Sequence, residues 1–369
     1  MRDLVALDLA LGPDLERAVS AVAASGDAFC VLDRRLSPRA RATELERLAP
    51  THVLDASGRH ARPEGRGVDD GVGLVMLTSG SSGTPKAAEL TWAALAASAT
   101  ITQATLRDDA PPAWFPCLTA CHIGGLAVVL RGVLSDAALV WGDPERPDTG
   151  PGAGATHVAV VRAQLARFDL SGYRTVLLGG ARPPHALADN VVTTWGMTET
   201  GSGVVYDRVA LPGVELAVVD GELCVRGPTL FSRYRDRDRP RVVGPDGLDD
   251  WFPTGDGGRL DDGRLTVFGR LRYVINTGGE KVWPEDLEAV LARVAGVSDV
   301  AVTGRADDEW GERVVALVVA DRRDLDGALR AAAEEAIGPW AKPKEVRYVT
   351  AIPRTASGKV RRGDLAHVF

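Results

Sequence analysis

Apolar residues along this chain follow two spacings. In DLERAVSAVAASG (14–26) and RATELERLAP (41–50) they return every three or four positions, which predicts one-sided helices. AFCVLD (28–33), GLVMLT (73–78), TVLLGG (175–180) and NVVTTW (190–195) are short apolar runs, which predict buried strands. ASGRHARPEGRGVDDG (56–71) is polar and reads as an exposed loop. SGSSGTPKAA (79–88) reads as a further loop, and TWAALAASATITQATL (91–106) as an Ala-rich helix. Apolar segments then alternate with turns at 122–134, 136–141 and 157–168. Strands interleaved with helices predict an α/β sheet packed on both faces.

The texture changes after about residue 205. VELAVVDGELCVRGP (214–228) alternates with a period of two and turns at Asp220-Gly221, the pattern of a hairpin. RLDDGRLTVFGR (259–270) predicts another, turning at Asp262-Gly263. From about Leu271 a smaller unit follows: a helix at 283–294, strands at 299–306 and 313–320, a helix at 325–337, a strand at 345–353 and a basic tail, RTASGKVRRGDL. The expected division is a large α/β domain, 1–270, and a small α+β domain, 271–369.

The 369 residues suffice for two domains. Hydrophobic residues at 45% and charged residues at 25% exclude disordered, collagen-like and coiled-coil classes. A net charge of −7 argues against a bulk binder of nucleic acid or anionic membrane. The four cysteines, Cys30, Cys117, Cys121 and Cys224, are scattered and form no disulfide framework. Cys117 and Cys121 could share a helix face, but no second pair or His cluster accompanies them as a zinc site would require. The amphipathic, acidic N-terminus lacks the basic and apolar regions of a signal peptide, and the longest apolar run, 126–134, is broken by Arg131. A cytoplasmic location is the expectation.

Candidate chemistry starts at Thr78-Ser79-Gly80-Ser81-Ser82-Gly83-Thr84-Pro85-Lys86, placed between a predicted strand and a predicted helix. Small hydroxyl residues and glycines let backbone N–H groups approach a phosphate, and Lys86 adds a cation. Thr84-Pro85 separates Gly83 from Lys86, so this is not a Walker A loop. Further strings follow in order: His122-Ile123-Gly124-Gly125, Leu178-Gly179-Gly180-Ala181, Trp195-Gly196-Met197-Thr198-Glu199-Thr200-Gly201, Thr254-Gly255-Asp256, Gly269-Arg270, Gly278-Gly279-Glu280-Lys281, and Pro353 to Lys359.

These strings, in this order, resemble the adenylate-forming enzymes: acyl-CoA synthetases, luciferases and peptide-synthetase adenylation domains. The short N-terminus and the run GMTETGSGVVYD (196–207) look most like the actinobacterial o-succinylbenzoate–CoA ligases of menaquinone synthesis. The resemblance implies a large multi-sheet domain with a small mobile C-terminal domain. It also implies a two-step reaction that uses ATP, Mg²⁺ and coenzyme A: a carboxylate attacks the α-phosphorus of ATP, then a thiol attacks the acyl-adenylate.

The implied roles fall on the matching residues. Thr78 through Thr84 and Lys86 would hold the phosphates. Gly179, Gly180, Ala181, Trp195, Gly196 and Met197 would flank adenine. Thr198 would donate to the α-phosphate, and Glu199 would carry Mg²⁺, since a hard cation prefers oxygen ligands. Asp256 and Arg270 would take the ribose. His122 would wall the acyl pocket from the coenzyme A tunnel, with Gly125, Thr200 and Ser202 beside it. Gly124, Gly125, Gly278, Gly279, Glu280 and Lys281 would line the thioester-forming face. Lys359 would reach both α-phosphate and carboxylate.

Two departures accompany the resemblance. Only 77 residues precede the phosphate loop, which implies a trimmed N-terminal subdomain and leaves a homodimer contact open. Arg272-Tyr273 stands where relatives often carry Asp or Lys followed by Asp. The second carboxylate of o-succinylbenzoate needs a partner, because an unpaired buried charge is costly. Arg131, Arg182, His185, Thr200 and Ser202 are the candidates. Other functions stay open at this stage: a ligase for another aryl or short acyl acid, an adenylation enzyme loading a carrier protein, or a non-catalytic nucleotide binder.

Overall fold

A computed structural model describes residues 1–78, 85–106, 110–184, 186–354 and 360–365. The chain divides into two compact units, Met1–Leu216 with Val225–Phe252, and Ala217–Cys224 with Pro253–Phe369.

The first unit begins β1 (Leu4–Leu7), α1 (Pro13–Ser25), β2 (Ala28–Val31), α2 (Pro38–Leu48), β3 (His52–Asp55), β4 (Gly58–Ala61), β5 (Val72–Thr78) and β6 (Lys86–Thr91). It continues α3 (Trp92–Thr105), β7 (Ala113–Phe115), α4 (Ile123–Leu134), β8 (Ala138–Leu139), β9 (His157–Val161), α5 (Arg162–Arg167), β10 (Thr175–Gly179), β11 (Val191–Met197), β12 (Ser202–Tyr206) and β13 (Val209–Ala210). Next in the chain comes the hairpin β14 (Glu215–Val219) and β15 (Glu222–Arg226), whose middle, Ala217–Cys224, belongs to the second unit, and then β16 (Arg233–Tyr234) and β17 (Arg237–Asp238).

One sheet of this unit has the order β17-β16-β6-β5-β2-β1-β3-β4. Its centre is parallel and fully apolar: Leu4, Ala6, Ala28, Cys30 and Val75 form one buried cluster. A second run of strands, β13-β12-β11-β10-β9-β7-β8, is parallel from β11 onward and buries Phe115, Val158, Val176 and Leu178. α1 buries Leu15, Ala18, Val19 and Val22 on one stripe, starts at Pro13 and stops at Gly26 in the left-handed region.

The phosphate loop does not lie between a strand and a helix. It joins β5 to β6, which pair antiparallel with Thr78 opposite Lys86. In KAAELT (86–91) the first three residues read as the end of that loop, and no element is expected at Glu89-Leu90. The segment's buried middle and its pairing with β5 and β16 make it a strand, and α3 starts only after Thr91, whose hydroxyl accepts from Ala94 N–H. The polar stretch at 56–71 likewise contains a strand, β4, paired with β3.

The second unit holds the antiparallel hairpin β18 (Phe252–Asp261) and β19 (Arg264–Arg270), turning through Asp262 and Gly263, both at positive φ. β20 (Ile275–Thr277), β21 (Glu280–Val282), α6 (Pro284–Leu291), β22 (Val297–Asp307), β23 (Gly311–Ala320), α7 (Asp326–Ala336), β24 (Glu345–Tyr348) and α8 (Arg362–Leu365) follow. The strands order as β21-β20-β23-β22, with β24 parallel to β23, over a core of Ile275, Leu287, Leu291, Val302, Val314 and Leu329. A boundary at residue 270 is therefore not where the contacts divide. Trp283 packs on Phe268, ring centroids 5.5 Å apart, and fills the space a side chain at Gly257 would need, joining the hairpin to the start of α6.

Candidate active site

In the first unit the carboxyl end of β11 leads into a single turn, Thr198–Thr200. Gly196 is required there: a Cβ on it would lie 2.1 Å from Ser202 O, at the bulge between β11 and β12. Trp195, Met197 and Thr198 are half-buried, while Glu199 is 9% exposed. The hydroxyl of Tyr234 donates to Glu199 Oε1 at 2.9 Å, and Phe231 N–H donates to the Glu199 carbonyl at 2.9 Å. That bond from Tyr234 is the hydrogen bond found to the Glu199 carboxylate among the described residues, and it goes to Oε1. A buried carboxylate with one oxygen fixed fits a hard divalent cation that keeps most of its water.

Thr78 and Lys86 face each other where β5 and β6 begin to part. The Lys86 ammonium sits 5.2 Å from the centroid of the Tyr234 ring. Ser79, Gly80, Ser81, Ser82, Gly83 and Thr84 lie outside the described residues. Gly179 ends β10, packed so that a Cβ would meet Thr194 Oγ1 at 2.8 Å, and Gly180 takes φ +83°, beside exposed Ala181.

Thr200 is buried, and its hydroxyl accepts from Met197 N–H at 2.8 Å and lies 2.7 Å from Ser202 O. That hydroxyl closes its own loop, which accounts for it without an acyl ligand. Ser202 is buried beside it. Arg182 is exposed, and His185 lies outside the described residues.

His122 caps the amino end of α4 in extended conformation, with its side chain exposed. A carboxylate oxygen of Asp33, Cys121 Sγ and a ring nitrogen of His122 all lie within 4.8 Å of one another. Arg35 donates to both Asp33 oxygens at 2.8 and 2.7 Å, which holds the Asp33 carboxyl down at about 2. Burial pushes the Cys121 thiol up. Cys117 is buried, and its thiol, pushed up to about 12 by desolvation, lies 3.3 Å from the Ala159 carbonyl. Neither cysteine is on a helix, so the shared helix face does not exist.

The two glycines after His122 differ. A Cβ on Gly124 would meet nothing closer than Leu118 Cδ1 at 4.0 Å. One on Gly125 would lie 2.3 Å from Thr119 O and 2.5 Å from Leu118 O, so Gly125 admits its own backbone neighbour rather than leaving room for a ligand.

Further along α4, Arg131 is 3% exposed. Its guanidinium lies 4.2 Å over the Trp114 ring and interacts with Tyr206, and Nη1 has no hydrogen-bond partner among the described residues. No carboxylate among the described residues pairs with it, and desolvation pulls its pKa down. Around it, Trp114 Nε1 donates to Gln103 Oε1 at 3.2 Å, and Thr102 and Tyr206 hydroxyls lie 3.1 Å apart.

In the second unit Asp256 and Arg270 come together. Arg270 Nε lies 2.9 Å from Asp256 Oδ1, and Nη1 donates to the Thr254 carbonyl at 2.9 Å. Thr254 Oγ1 in turn donates to Leu223 O and accepts from Asp256 N–H. The turn Gly278-Gly279 between β20 and β21 is exposed, as are Glu280 and Lys281 at the start of β21. Gly278 and Gly279 both have positive φ, and a Cβ on Gly279 would meet open space. Lys359 lies outside the described residues.

A cavity of about 760 Å³ at the carboxyl ends of β1 and β3, lined by Asp8, Pro13, Arg17, Arg34 and Asp55 among others, contains none of the motif residues. The features missed by motif reading are Tyr234, the Asp33–Arg35 pair and the aromatic setting of Arg131. Only Tyr234 left a sequence signal, a lone aromatic inside the charged run SRYRDRDR (232–239). No helix among the described residues is long and apolar enough to cross a membrane.

Comparison with known proteins gives concordant findings. The profile of the AMP-binding enzyme family matches residues 16–235, and that of the AMP-binding enzyme C-terminal domain matches 286–359. A probable 2-succinylbenzoate–CoA ligase of Mycobacterium tuberculosis is 38% identical over 340 residues, covering 83% of this chain and 86% of its own. An indoleacetate–CoA ligase of Aromatoleum aromaticum is 33% identical over 340 residues, covering 79% of this chain and 66% of its own. The solved o-succinylbenzoate CoA synthetase of Bacillus subtilis, in complex with the acyl-adenylate intermediate, superposes with a TM-score of 0.83 at 24% identity, covering 98% of this chain and 88% of that one.

Proposed function

The chain belongs to the AMP-binding enzyme family, and from that membership we propose that it is a 2-succinylbenzoate–CoA ligase acting through an acyl-adenylate. In the first step the aliphatic carboxylate attacks the α-phosphorus of ATP, and the bond to pyrophosphate breaks. In the second the coenzyme A sulfur attacks the acyl carbon, its proton passes to solvent, and AMP leaves.

Both steps gather negative charge, so the chain's donors and cations must be placed beforehand. In this reading the 78–84 segment and Lys86 hold the β- and γ-phosphates. The Thr198 hydroxyl meets the α-phosphate, and Trp195 with Gly179, Gly180, Ala181, Gly196 and Met197 frames adenine. Glu199 would hold Mg²⁺, which would supply positive charge to offset that of the phosphates. Asp256 accepts from the ribose hydroxyls, with Arg270 holding its carboxylate in place. Lys359 contacts phosphate and carboxylate in the first step. His122, Gly124 and the Gly278–Lys281 turn serve the second. ATP and coenzyme A supply favours a cytoplasmic enzyme.

The observation that carries the choice of acid is Arg131. A buried guanidinium without a carboxylate partner is expensive unless a ligand brings one, and the ring carboxylate of 2-succinylbenzoate is such a group. A second reading, a ligase for an aryl acid with one carboxylate, is favoured by the likeness to the indoleacetate enzyme. Pyrophosphate release measured with 2-succinylbenzoate, indoleacetate, benzoate and a fatty acid separates them. The highest kcat/KM is expected for 2-succinylbenzoate; a higher value for indoleacetate or benzoate selects the second reading.

A further inference from the structure

Tyr234 lies outside every motif, yet it touches two motif residues of opposite charge. Its side chain is buried on β16, its hydroxyl donates to Glu199 Oε1 at 2.9 Å, and the Lys86 ammonium stands 5.2 Å from its ring centroid. Arg237 lies at the same distance from the ring. The ring of Phe231 braces it, centroids 4.8 Å apart, and Phe231 N–H also ties down the Glu199 backbone.

We propose that Tyr234 is a positioning residue for nucleotide activation, one side chain that orients Glu199 through its hydroxyl and Lys86 through its ring. The electrostatics are consistent at both ends. A phenol presents a positive hydrogen to the carboxylate and a negative face to the ammonium. Fixing Oε1 leaves Oε2 as the oxygen offered to a cation, so the carboxylate meets metal in one orientation. This deepens the ligase reading, but only the nucleotide half of it: the contacts concern ATP and its cation, whatever acid is used.

The test uses the full-length enzyme and Mn²⁺ as the metal, followed by electron paramagnetic resonance in the presence of ATP and without acid. Tyr234→Phe keeps the ring and loses the hydroxyl. It should weaken Mn²⁺ binding in the ATP complex about tenfold, the scale for one hydrogen bond to a charged group. ATP binding without metal should stay within about twofold. Tyr234→Leu removes the ring as well and should weaken ATP binding without metal too. A double-mutant cycle with Glu199→Gln should show that the Tyr234→Phe effect vanishes once the carboxylate is gone. Phe231→Leu disturbs the packing but keeps the hydroxyl, and it should leave Mn²⁺ affinity within about twofold. Wild-type Mn²⁺ affinity in Tyr234→Phe, or additive effects in the cycle, would overturn the proposal and leave Tyr234 as packing. Failure of wild type to adenylate 2-succinylbenzoate would sink the choice of acid without touching these binding measurements.

Discussion

Arg131→Met separates a ligand-binding cation from a structural one, because the two roles predict opposite signs for stability. The guanidinium is 3% exposed, and among the described residues Nη1 has no hydrogen-bond partner and no carboxylate offsets the charge. Replacing a buried charge with an apolar side chain of similar volume commonly stabilises by about 1–4 kcal/mol. Against this stands the lost contact with Trp114 at 4.2 Å, worth about 2 kcal/mol when desolvated. The ligand-free variant should therefore melt at the wild-type temperature or a few degrees higher. Binding goes the other way. The ring carboxylate of 2-succinylbenzoate would enter a pocket without its cation, which costs roughly 2–5 kcal/mol. At 1.4 kcal/mol per decade, kcat/KM should fall roughly 30-fold or more. The comparison acid is 4-oxo-4-phenylbutanoate, which lacks the ring carboxylate and should lose little. The assays are differential scanning calorimetry and pyrophosphate release with both acids. A variant several degrees less stable, with unchanged preference between the two acids, would refute the reasoning and make Arg131 part of the core.

Two further outcomes follow from local geometry. Gly125→Ala forces a methyl against two backbone carbonyls and should destabilise by about 1–3 kcal/mol in urea unfolding, while Gly124→Ala should be silent. Asp33→Asn removes a carboxylate held near pH 2 by Arg35. A depressed carboxyl stabilises above its ordinary value near 3.9 and loses that contribution as pH falls toward 2. With Arg35 partly exposed the loss at pH 7 should be about 1 kcal/mol, shrinking between pH 4 and pH 2; equal denaturation midpoints at pH 6 would contradict it.

How much of this was legible beforehand depended on whether the signal was local. Both hairpin turns at Asp220-Gly221 and Asp262-Gly263 were readable, because a positive-φ turn depends on its own residues. Strands β1 and β4 and the strand character of KAAELT were not, since partners far along the chain decide them. The contacts divide elsewhere than at residue 270 for a similar reason: Trp283 finds Gly257 and Phe268 across sequence distances that no periodicity reports. Among site residues, the motif positions came from the resemblance. Composition and spacing alone placed a phosphate loop but named no metal carrier. The contacts of Tyr234, and the setting of Arg131 against Trp114 with no carboxylate partner among the described residues, are three-dimensional facts, invisible in a string where both look like ordinary members of charged or apolar runs.

The central claim, an acid activated as its adenylate and then transferred to coenzyme A, is met most directly by rapid quench with enzyme, ATP, Mg²⁺ and 2-succinylbenzoate but no coenzyme A. Mass spectrometry of the quenched mixture should show 2-succinylbenzoyl-adenylate and pyrophosphate in a burst matching the enzyme concentration. On adding coenzyme A, the adenylate should disappear as AMP and the thioester form in equal amounts. Release of ADP and phosphate, or an adenylate that forms with indoleacetate but not with 2-succinylbenzoate, would contradict the account.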